Sequence, residues 1–198
     1  MKKIKKIVFV SALALSLLAF SSPSEAASLA HTVKSGDTLY SIGKHYGVPV
    51  TALKKMNNKS SNTIYPGQRL SIPQTISASD KDLLARIVHA EAKGEPYAGK
   101  VAVATVVLNR LDHSSFPNTV KGVIYERTSN GGYAFSPVQN GAINQPADSS
   151  SKRAVEEALA FRGQGNGSLY FYNPKKTSNQ WIKSRQVTVV IGNHRFAK

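Results

Sequence analysis

The sequence has no cysteine, one tryptophan and two methionines among its 198 residues. The lack of cysteine excludes disulfides and any catalytic or metal site built on thiolates. Acidic residues are also few, since 11 Asp and Glu stand against 26 Lys and Arg, and the net charge is +15. A chain this basic is expected to meet polyanions, either nucleic acid or the anionic polymers of a bacterial wall.

Apolar runs approaching the length of a membrane span are absent after the first 20 residues. Residues 1–6 read MKKIKK, and residues 7–20 form an uncharged apolar run, shorter than the about 20 residues that a spanning helix needs. Small Ser24 and Ala26 follow at the positions that a signal peptidase reads. This order predicts a secretory signal peptide over residues 1–26, with an uncleaved anchor as the alternative. We therefore expect a secreted, wall-associated monomer with no stable membrane insertion after cleavage, and a wall partner in place of nucleic acid.

Residues 30–73 predict a small unit of the order β-α-α-β. The segment HTVKSGDTLYSI begins as a strand, turns, and enters a helix that Asp37 or Thr38 can cap. Gly47 is expected to end this helix and Pro49 to start a second one. The later stretch TIYPGQRLSIP predicts a turn followed by a closing strand.

This segment resembles a LysM module, through HTVKSGDTLYSIGKHYGV and the later IYPGQRLSIP. The resemblance implies binding of GlcNAc-containing peptidoglycan strands between two loops, and anionic wall polymers are a further possible partner. The residues implied in glycan binding are Ser35, Gly36, Asp37, Thr38, Ile64, Pro66 and Gly67. A small folded unit without a ligand is the alternative interpretation.

Residues 74–81 (QTISASDK) are small and polar and predict a linker. In the unit that follows, residues 82–198, the segment DKDLLARIVHAEAKG places Leu84, Ile87, Val88 and Glu91 on one helical face. A carboxyl group on a buried apolar stripe has a raised pKa, as a general acid near neutral pH requires. A small rotation of the helix would instead leave Glu91 solvated, and periodicity alone favours neither arrangement.

The second unit resembles the SleB/CwlJ family of bacterial cell-wall hydrolases. The similarity is carried by HAEAKGEPYAGKVAVATVVLNRLDHSSFPNTVKGVIYE, YAFSPVQNG, SLYFYNP and IGNHRF. It implies an α+β fold, in which a reduced lysozyme-like domain has a helical lobe and a small β lobe. It also implies a peptidoglycan lytic transglycosylase whose essential glutamate is the first of the E-A-x-G-E motif, here Glu91.

A transglycosylase needs one carboxyl group, whereas hydrolysis of a glycosidic bond usually needs two. Glu91 would protonate the glycosidic oxygen between MurNAc and GlcNAc, and the C6 hydroxyl of the MurNAc would then close a 1,6-anhydro ring. Glu95 is the nearest acidic residue in the sequence, but it follows Gly94 and precedes Pro96, outside the helix. We expect it to hold a loop by accepting hydrogen bonds from backbone amides.

Resemblance also places five residues against the sugar. These candidates for substrate contact are Tyr133, Phe135, Ser136, Tyr172 and Asn173. Phe135 or Tyr133 would offer an apolar platform, Ser136 a hydroxyl, and Tyr172 with Asn173 a pair facing the cleft. A loop that only packs against the domain is the alternative for Tyr133, Phe135 and Ser136. Trp181 could stack on a sugar, but a lone tryptophan is more often a core residue.

Three other functions remain as alternatives. A zinc amidase could use His89, His113 and His194 with Glu91, but no ligand-spacing motif is present, and we expect neither a metal nor another cofactor. A muramidase would cut the same bond with water, and a wall-binding protein would have lost activity altogether. The resemblance also suggests a role in cell-wall turnover, sporulation or germination, although nothing in the residues separates spore cortex from vegetative wall.

Overall fold

The computed structural model describes residues 29–73 and 76–198 of the protein. The predicted signal peptide lies outside the described residues. Within the described ranges, no helix combines the length and the apolar character needed to cross a bilayer.

The N-terminal unit has the predicted β-α-α-β order. Its elements are β1 (Ala30–Thr32), α1 (Leu39–Tyr46), α2 (Val50–Met56) and β2 (Arg69–Ser71). The two strands pair antiparallel, with His31 opposite Leu70. A core of its own lies between the helices and this ribbon, formed by Val33, Leu39, Ile42, Val48, Leu53, Leu70 and Ile72.

The ends of α1 follow from two residues that the sequence singles out. The Thr38 side chain accepts a hydrogen bond from the Ser41 amide, and the Ser41 side chain accepts one from the Thr38 amide, which completes a capping box. At the other end Gly47 has φ 65°, in the left-handed region that glycine enters without steric cost. Both predicted limits of the helix are confirmed.

The second unit is helical for most of its length. Its helices are α3 (Ala78–Glu91), α4 (Tyr97–Asp112), α5 (Val120–Ile124), α6 (Ser136–Gln139), a 3-10 turn (Ala142–Asn144), α7 (Ser149–Ala160) and α8 (Gln180–Lys183). Helix α4 packs against α3 and α7, and its Val103, Val106 and Val107 are completely buried. The main core of the protein therefore lies among these three helices.

Helix α3 begins earlier than the sequence suggests. The Ser77 side chain accepts a hydrogen bond from the Asp80 amide and caps the helix, so residues 78–81 are helical and are not part of a linker. The predicted linker boundary at Lys81 is wrong for this reason.

A three-stranded antiparallel sheet completes the unit. Its strands are β3 (Tyr170–Tyr172), β4 (Val187–Ile191) and β5 (His194–Ala197), and β5 lies in the middle. Phe171 pairs with Phe196, and Gly192, with φ 56°, forms the tight turn between β4 and β5. The architecture is thus α+β, with a helical lobe and a small β lobe, as predicted.

The two units are in contact through α1 and α7. The rings of Tyr40 and Phe161 lie 5.1 Å apart. Lys44 Nζ is 3.6 Å from a carboxylate oxygen of Glu157. Lys81 Nζ donates a hydrogen bond of 2.9 Å to the carbonyl of Tyr46. The N-terminal unit is therefore docked on the helical lobe, an arrangement that the sequence did not predict.

Candidate active site

Glu91 is the last residue of α3, where an apolar helical face meets the surface. Leu84, Ile87 and Val88 on that face are completely buried, and Glu91 is partly buried. Burial raises the pKa of Glu91 from 4.5 to about 7, although the positive charge of Arg110 acts to lower it. The helix is therefore oriented so that Glu91 lies against the buried face, and not so that it is solvated. A carboxyl group with this pKa can hold a proton near neutral pH.

Glu95 has a different environment only four positions later. Its Oε2 accepts a hydrogen bond from the Asn193 amide and its Oε1 one from Asn193 Nδ2, each at 3.0 Å. Burial acts to raise the pKa of Glu95, but these two hydrogen bonds and the charges of His194 and Lys176 lower it below its ordinary value. Glu95 is therefore an ionised structural carboxylate that accepts a backbone amide, as predicted, and the segment that it holds is the turn between β4 and β5.

Arg110, on α4, is the charged residue that acts on Glu91. Its side chain is 8% exposed, and its Nε donates a hydrogen bond of 2.7 Å to the carbonyl of Leu169. The guanidinium carbon lies 5.0, 5.0 and 5.5 Å from the ring centres of Phe116, Phe135 and Tyr170. These contacts fix the guanidinium within an aromatic cage.

A groove of about 940 Å³ opens beside Arg110. Its walls include Arg110, Glu126, Tyr170, Tyr172 and Trp181, which come from α4, the segment after α5, β3 and α8. Trp181 is 51% exposed, with its ring 5.2 Å from Tyr170 and 4.6 Å from the guanidinium carbon of Arg185. The interpretation of Trp181 as a core residue is wrong, because the short helix α8 turns it toward the groove.

The predicted substrate-contact residues fall into different places. Tyr172 lies on the wall of the groove. Tyr133 is half-buried, and its hydroxyl accepts a hydrogen bond of 3.0 Å from Arg127. Ser136 is exposed at the first position of α6, and Asn173 is half-buried beyond the end of β3.

Phe135 does not suit the role of a sugar platform. It is 2% exposed and belongs to the main hydrophobic core. Its ring lies 6.3 Å from that of Phe171 and 5.0 Å from the guanidinium of Arg110. Phe135 therefore supports the wall of the groove from the interior, since packing against the core takes precedence over its position in a turn-rich segment.

The two loops of the N-terminal unit that the sequence singles out lie side by side. The amide of Gly67 donates a hydrogen bond of 2.8 Å to the carbonyl of Val33, just before the first loop. Gly36 and Gly67 have φ values of 87° and 86°, and no atom lies near the position that a Cβ would take. Asp37 ties the first loop together, since its carboxylate accepts from the Lys34 amide and contacts His31 Nε2, both at 2.8 Å.

The histidines considered as metal ligands have separate partners. His89 lies 3.4 Å from a carboxylate oxygen of Asp148, His113 packs on Phe116, and His194 packs on Phe171. Among the residues that the structure describes, no three His, Cys, Asp or Glu side chains are grouped as metal ligands would be.

Comparison with known protein families gives two matches. Residues 31–73 match the LysM domain, and residues 94–197 match a family described as Cell Wall Hydrolase. The second match covers the sheet, the groove and most helices, and it begins three residues after Glu91.

The most informative relatives are spore enzymes. The chain is 41% identical over 126 residues to the spore cortex-lytic enzyme of Halalkalibacterium halodurans, across 64% of the chain and 37% of that protein. It is 40% identical over 128 residues to that of Bacillus cereus, across 65% of the chain and 48% of that protein. The chain thus spans less than half the length of these relatives.

Among solved structures, the catalytic domain of the germination-specific lytic transglycosylase SleB from Bacillus anthracis is similar. It is 40% identical, has a TM-score of 0.56, and is matched over its full length by 64% of this chain. The shared region is therefore a complete domain of that enzyme.

Proposed function

Because this chain belongs to the cell wall hydrolase family and carries a LysM domain, we propose that it is a secreted enzyme that cleaves peptidoglycan between MurNAc and GlcNAc. We assign the chemistry to Glu91 and the product to 1,6-anhydro-MurNAc, as made by a lytic transglycosylase. The observation that carries this proposal is the position of Glu91, partly buried at the end of the apolar face of α3, where burial raises its pKa to about 7.

The reaction needs one group that first gives and then takes a proton. Protonated Glu91 donates to the glycosidic oxygen while the bond from MurNAc C1 to that oxygen breaks, and GlcNAc leaves with a new hydroxyl. The C6 hydroxyl oxygen of the same MurNAc then bonds to C1 and passes its proton to Glu91. A pKa near neutral serves both steps, because the carboxyl group is neither too weak an acid nor too weak a base.

The hydrogen bonds of Glu95 support this mechanism. Hydrolysis usually requires a second carboxyl group, either as nucleophile or as base for water. Glu95 is engaged by both amides of Asn193 and is not free for such a role. Glu95, the acidic residue nearest to Glu91 in the sequence, therefore does not act as the second carboxyl group.

A muramidase is the second candidate function, and the position of Glu126 favours it. Its side chain is 28% exposed on the wall of the groove, and its Oε2 is 3.9 Å from Arg110 Nη1. A carboxylate there could activate water, and the product would then have a reducing end in place of an anhydro ring.

The LysM domain suggests how the enzyme stays on its substrate. Gly36 and Gly67 are exposed and have no side chain to obstruct an N-acetyl group, and the basic chain suits a wall rich in anionic polymers. We place the protein in the cell wall or the spore, acting in wall turnover or, as the names of its relatives suggest, in cortex lysis.

The proposal is tested with purified walls and with Glu91→Gln. The variant should release no soluble fragments yet bind walls as wild type does, and mass spectrometry of wild-type digests should show anhydro-MurNAc ends. Glu156→Gln on α7, a half-buried carboxyl group outside the groove, is the matched control and should remain active. Lysis by Glu91→Gln at the wild-type rate would overturn the assignment, and an inactive wild type would favour a binding protein. Reducing ends would indicate a muramidase, and free peptides an amidase.

A further inference from the structure

Trp181 is a large apolar side chain that the fold leaves open to solvent on the wall of the groove. It is 51% exposed, although burying an aromatic ring of this size would stabilise the protein. An aromatic ring that stays accessible in a concave surface is a common feature of ligand sites, where the ligand removes the ring from water.

The position of this ring is fixed before any ligand binds. The Asn179 side chain caps the start of α8, and the Ser184 hydroxyl donates a hydrogen bond of 2.8 Å to the carbonyl of Trp181. The guanidinium carbon of Arg185 lies 4.6 Å from the ring centre, and the ring of Tyr170 stands almost perpendicular to it at 5.2 Å. A side chain held in this way loses little conformational freedom when a ligand covers it.

The same groove contains neutral polar groups that the fold does not use. Thr128, Ser129 and Asn130, in the segment after α5, line the groove, and their side chains have no hydrogen-bond partner in the part of the chain that the structure describes. The neighbouring Arg127 is engaged within its own loop, where it donates to the Gly131 carbonyl. The polar groups left for a ligand on this wall are therefore hydroxyls and an amide.

An accessible aromatic ring together with free hydroxyl and amide groups suits a sugar. The C–H groups on one face of a pyranose ring pack on an aromatic ring, and its hydroxyl and acetamido groups form hydrogen bonds with neutral side chains. A stem peptide carries carboxylates, which Glu126 on the wall would repel. The volume of about 940 Å³ is near the upper end for ligand sites and gives room for more than one sugar ring.

Resting on the function proposed above, we propose that the groove is a glycan-binding site in which a sugar of the peptidoglycan strand stacks on the ring of Trp181. Glu91 is not among the described residues that line the groove. Trp181 is therefore assigned to binding of the strand and not to the chemistry of bond cleavage.

The sole tryptophan of the sequence reports on its own site. In the full-length Glu91→Gln protein, chitotetraose should change the fluorescence of Trp181 until the site is saturated. Sugars bound to the LysM domain do not contribute, because that domain contains no tryptophan. A free stem tetrapeptide should leave the fluorescence unchanged.

Variants in the Glu91→Gln background test the stacking contact. The backbone amide signals of Ser129 and Asn130, followed by NMR, measure chitotetraose in the groove when the tryptophan is absent. Trp181→Ala should weaken binding about tenfold or more, and Trp181→Tyr, which keeps an aromatic ring, about threefold or less. Val190→Ala is the control and should bind as the parent does, because Val190 is an exposed apolar residue of β4 outside the groove.

Trp181→Ala should fold, since Trp181 is not part of the hydrophobic core. If it does not, the fluorescence titration and Trp181→Tyr still test the inference. An unchanged fluorescence with chitotetraose, or equal affinities of Trp181→Ala and its parent, would overturn it. A response to the stem peptide in place of the sugar would also overturn it and would assign the groove to the peptide.

These results would leave the proposed function standing as long as wild type still released anhydro-MurNAc from walls. A wild type that bound chitotetraose at Trp181 but released no fragments from walls would remove the proposed function and leave the glycan site.

Discussion

The carboxylate of Glu95 accepts two hydrogen bonds from Asn193, a residue 98 positions later in the chain. This contact joins the segment just after Glu91 to the turn between β4 and β5, and so it links the helical lobe to the β lobe next to the candidate acid.

We expect Glu95→Gln to be destabilised but active. The side chain is half-buried and solvent screens its charge, so the loss should be about 1 kcal/mol in the free energy of unfolding, measured by chemical denaturation at neutral pH. Because the folded protein lowers the pKa of Glu95, its contribution is present above the ordinary carboxyl pKa and is lost as the pH falls through the folded value. The free energies of unfolding of wild type and Glu95→Gln should therefore become equal in acid.

Activity separates the two glutamates. Glu95→Gln should retain most of its kcat on purified walls, whereas Glu91→Gln should have none. Asn193→Ala serves as the partner control and should reproduce the stability loss. If Glu95→Gln were as inactive as Glu91→Gln, Glu95 would have to take part in the reaction.

Glu91→Gln should be more stable than wild type above neutral pH. The folded protein raises the pKa of Glu91 from 4.5 to about 7, so the stability that protonated Glu91 provides is complete below pH 4.5 and is lost as the pH rises through about 7. Glutamine does not ionise, so Glu91→Gln does not lose this stability as the pH rises. The gain should be roughly 2 to 3 kcal/mol at most at pH 8 and should vanish near pH 4.

Denaturation of both proteins across this pH range is the measurement. Glu156→Gln should follow wild type at each pH. A constant difference between Glu91→Gln and wild type from pH 4 to 8 would mean that Glu91 has an ordinary pKa and is not suited to act as the acid.

Tyr40→Ala should separate the LysM domain from the helical lobe. The mutation removes the ring contact with Phe161 and leaves the polar contacts of Lys44 and Lys81 exposed to water. We expect unchanged activity on short soluble glycans and greater cleavage by protease between the two units. Small-angle scattering should show a larger radius of gyration.

Tyr125→Ala is the matched control for this contact. Tyr125 is also 36% exposed but belongs to the catalytic unit, at the end of α5. If Tyr40→Ala and Tyr125→Ala scatter alike and resist protease alike, the ring contact does not hold the two units together.

Gly67→Ala should weaken the LysM domain. Gly67 has φ 86°, which any residue with a Cβ adopts only with strain, at a cost of about 1 kcal/mol. The change should lower the melting temperature and reduce the retention of Glu91→Gln on purified walls. Gly132→Ala, at a position with no positive φ and ordinary contacts, should do neither. Full retention by a destabilised Gly67→Ala would place the glycan elsewhere on the domain.

Local signals accounted for the features that the sequence predicted correctly. Thr38 and Gly47 mark the ends of α1 because caps depend on a few neighbouring residues. Helical periodicity puts Glu91 on the same face of α3 as Leu84, Ile87 and Val88, because periodicity is a local property, but it leaves open whether the carboxyl group is buried. The role of Glu95 followed from Gly94 and Pro96, which exclude it from a helix.

Features built from distant segments were beyond such reasoning. The cage around Arg110 combines Phe116, Phe135 and Tyr170, and its fixed bond goes to Leu169, 59 positions away. The same assembly explains why Phe135 is buried, since the ring fills space under the guanidinium. Neither arrangement has a signature in spacing or composition.

The interpretations of Trp181 as a core residue and of residues 78–81 as linker are wrong for a related reason. A lone tryptophan and a run of small polar residues have common interpretations, core and linker, that neighbouring structure overrides. Here α8 presents Trp181 to the groove, and the Ser77 cap extends α3 into residues 78–81.

The contact between α1 and α7 changes what the LysM domain does for the enzyme. A domain on a flexible tether would only raise the local concentration of substrate, and the second unit could reach any bond within the tether's length. A docked domain instead lies at a fixed distance from the groove. If one glycan strand binds both the Gly36 and Gly67 turns and the groove beside Arg110, as the proposed function implies, the protein sets the number of sugars between the bound sugar and the cleaved bond. Fragments should then show a preferred length.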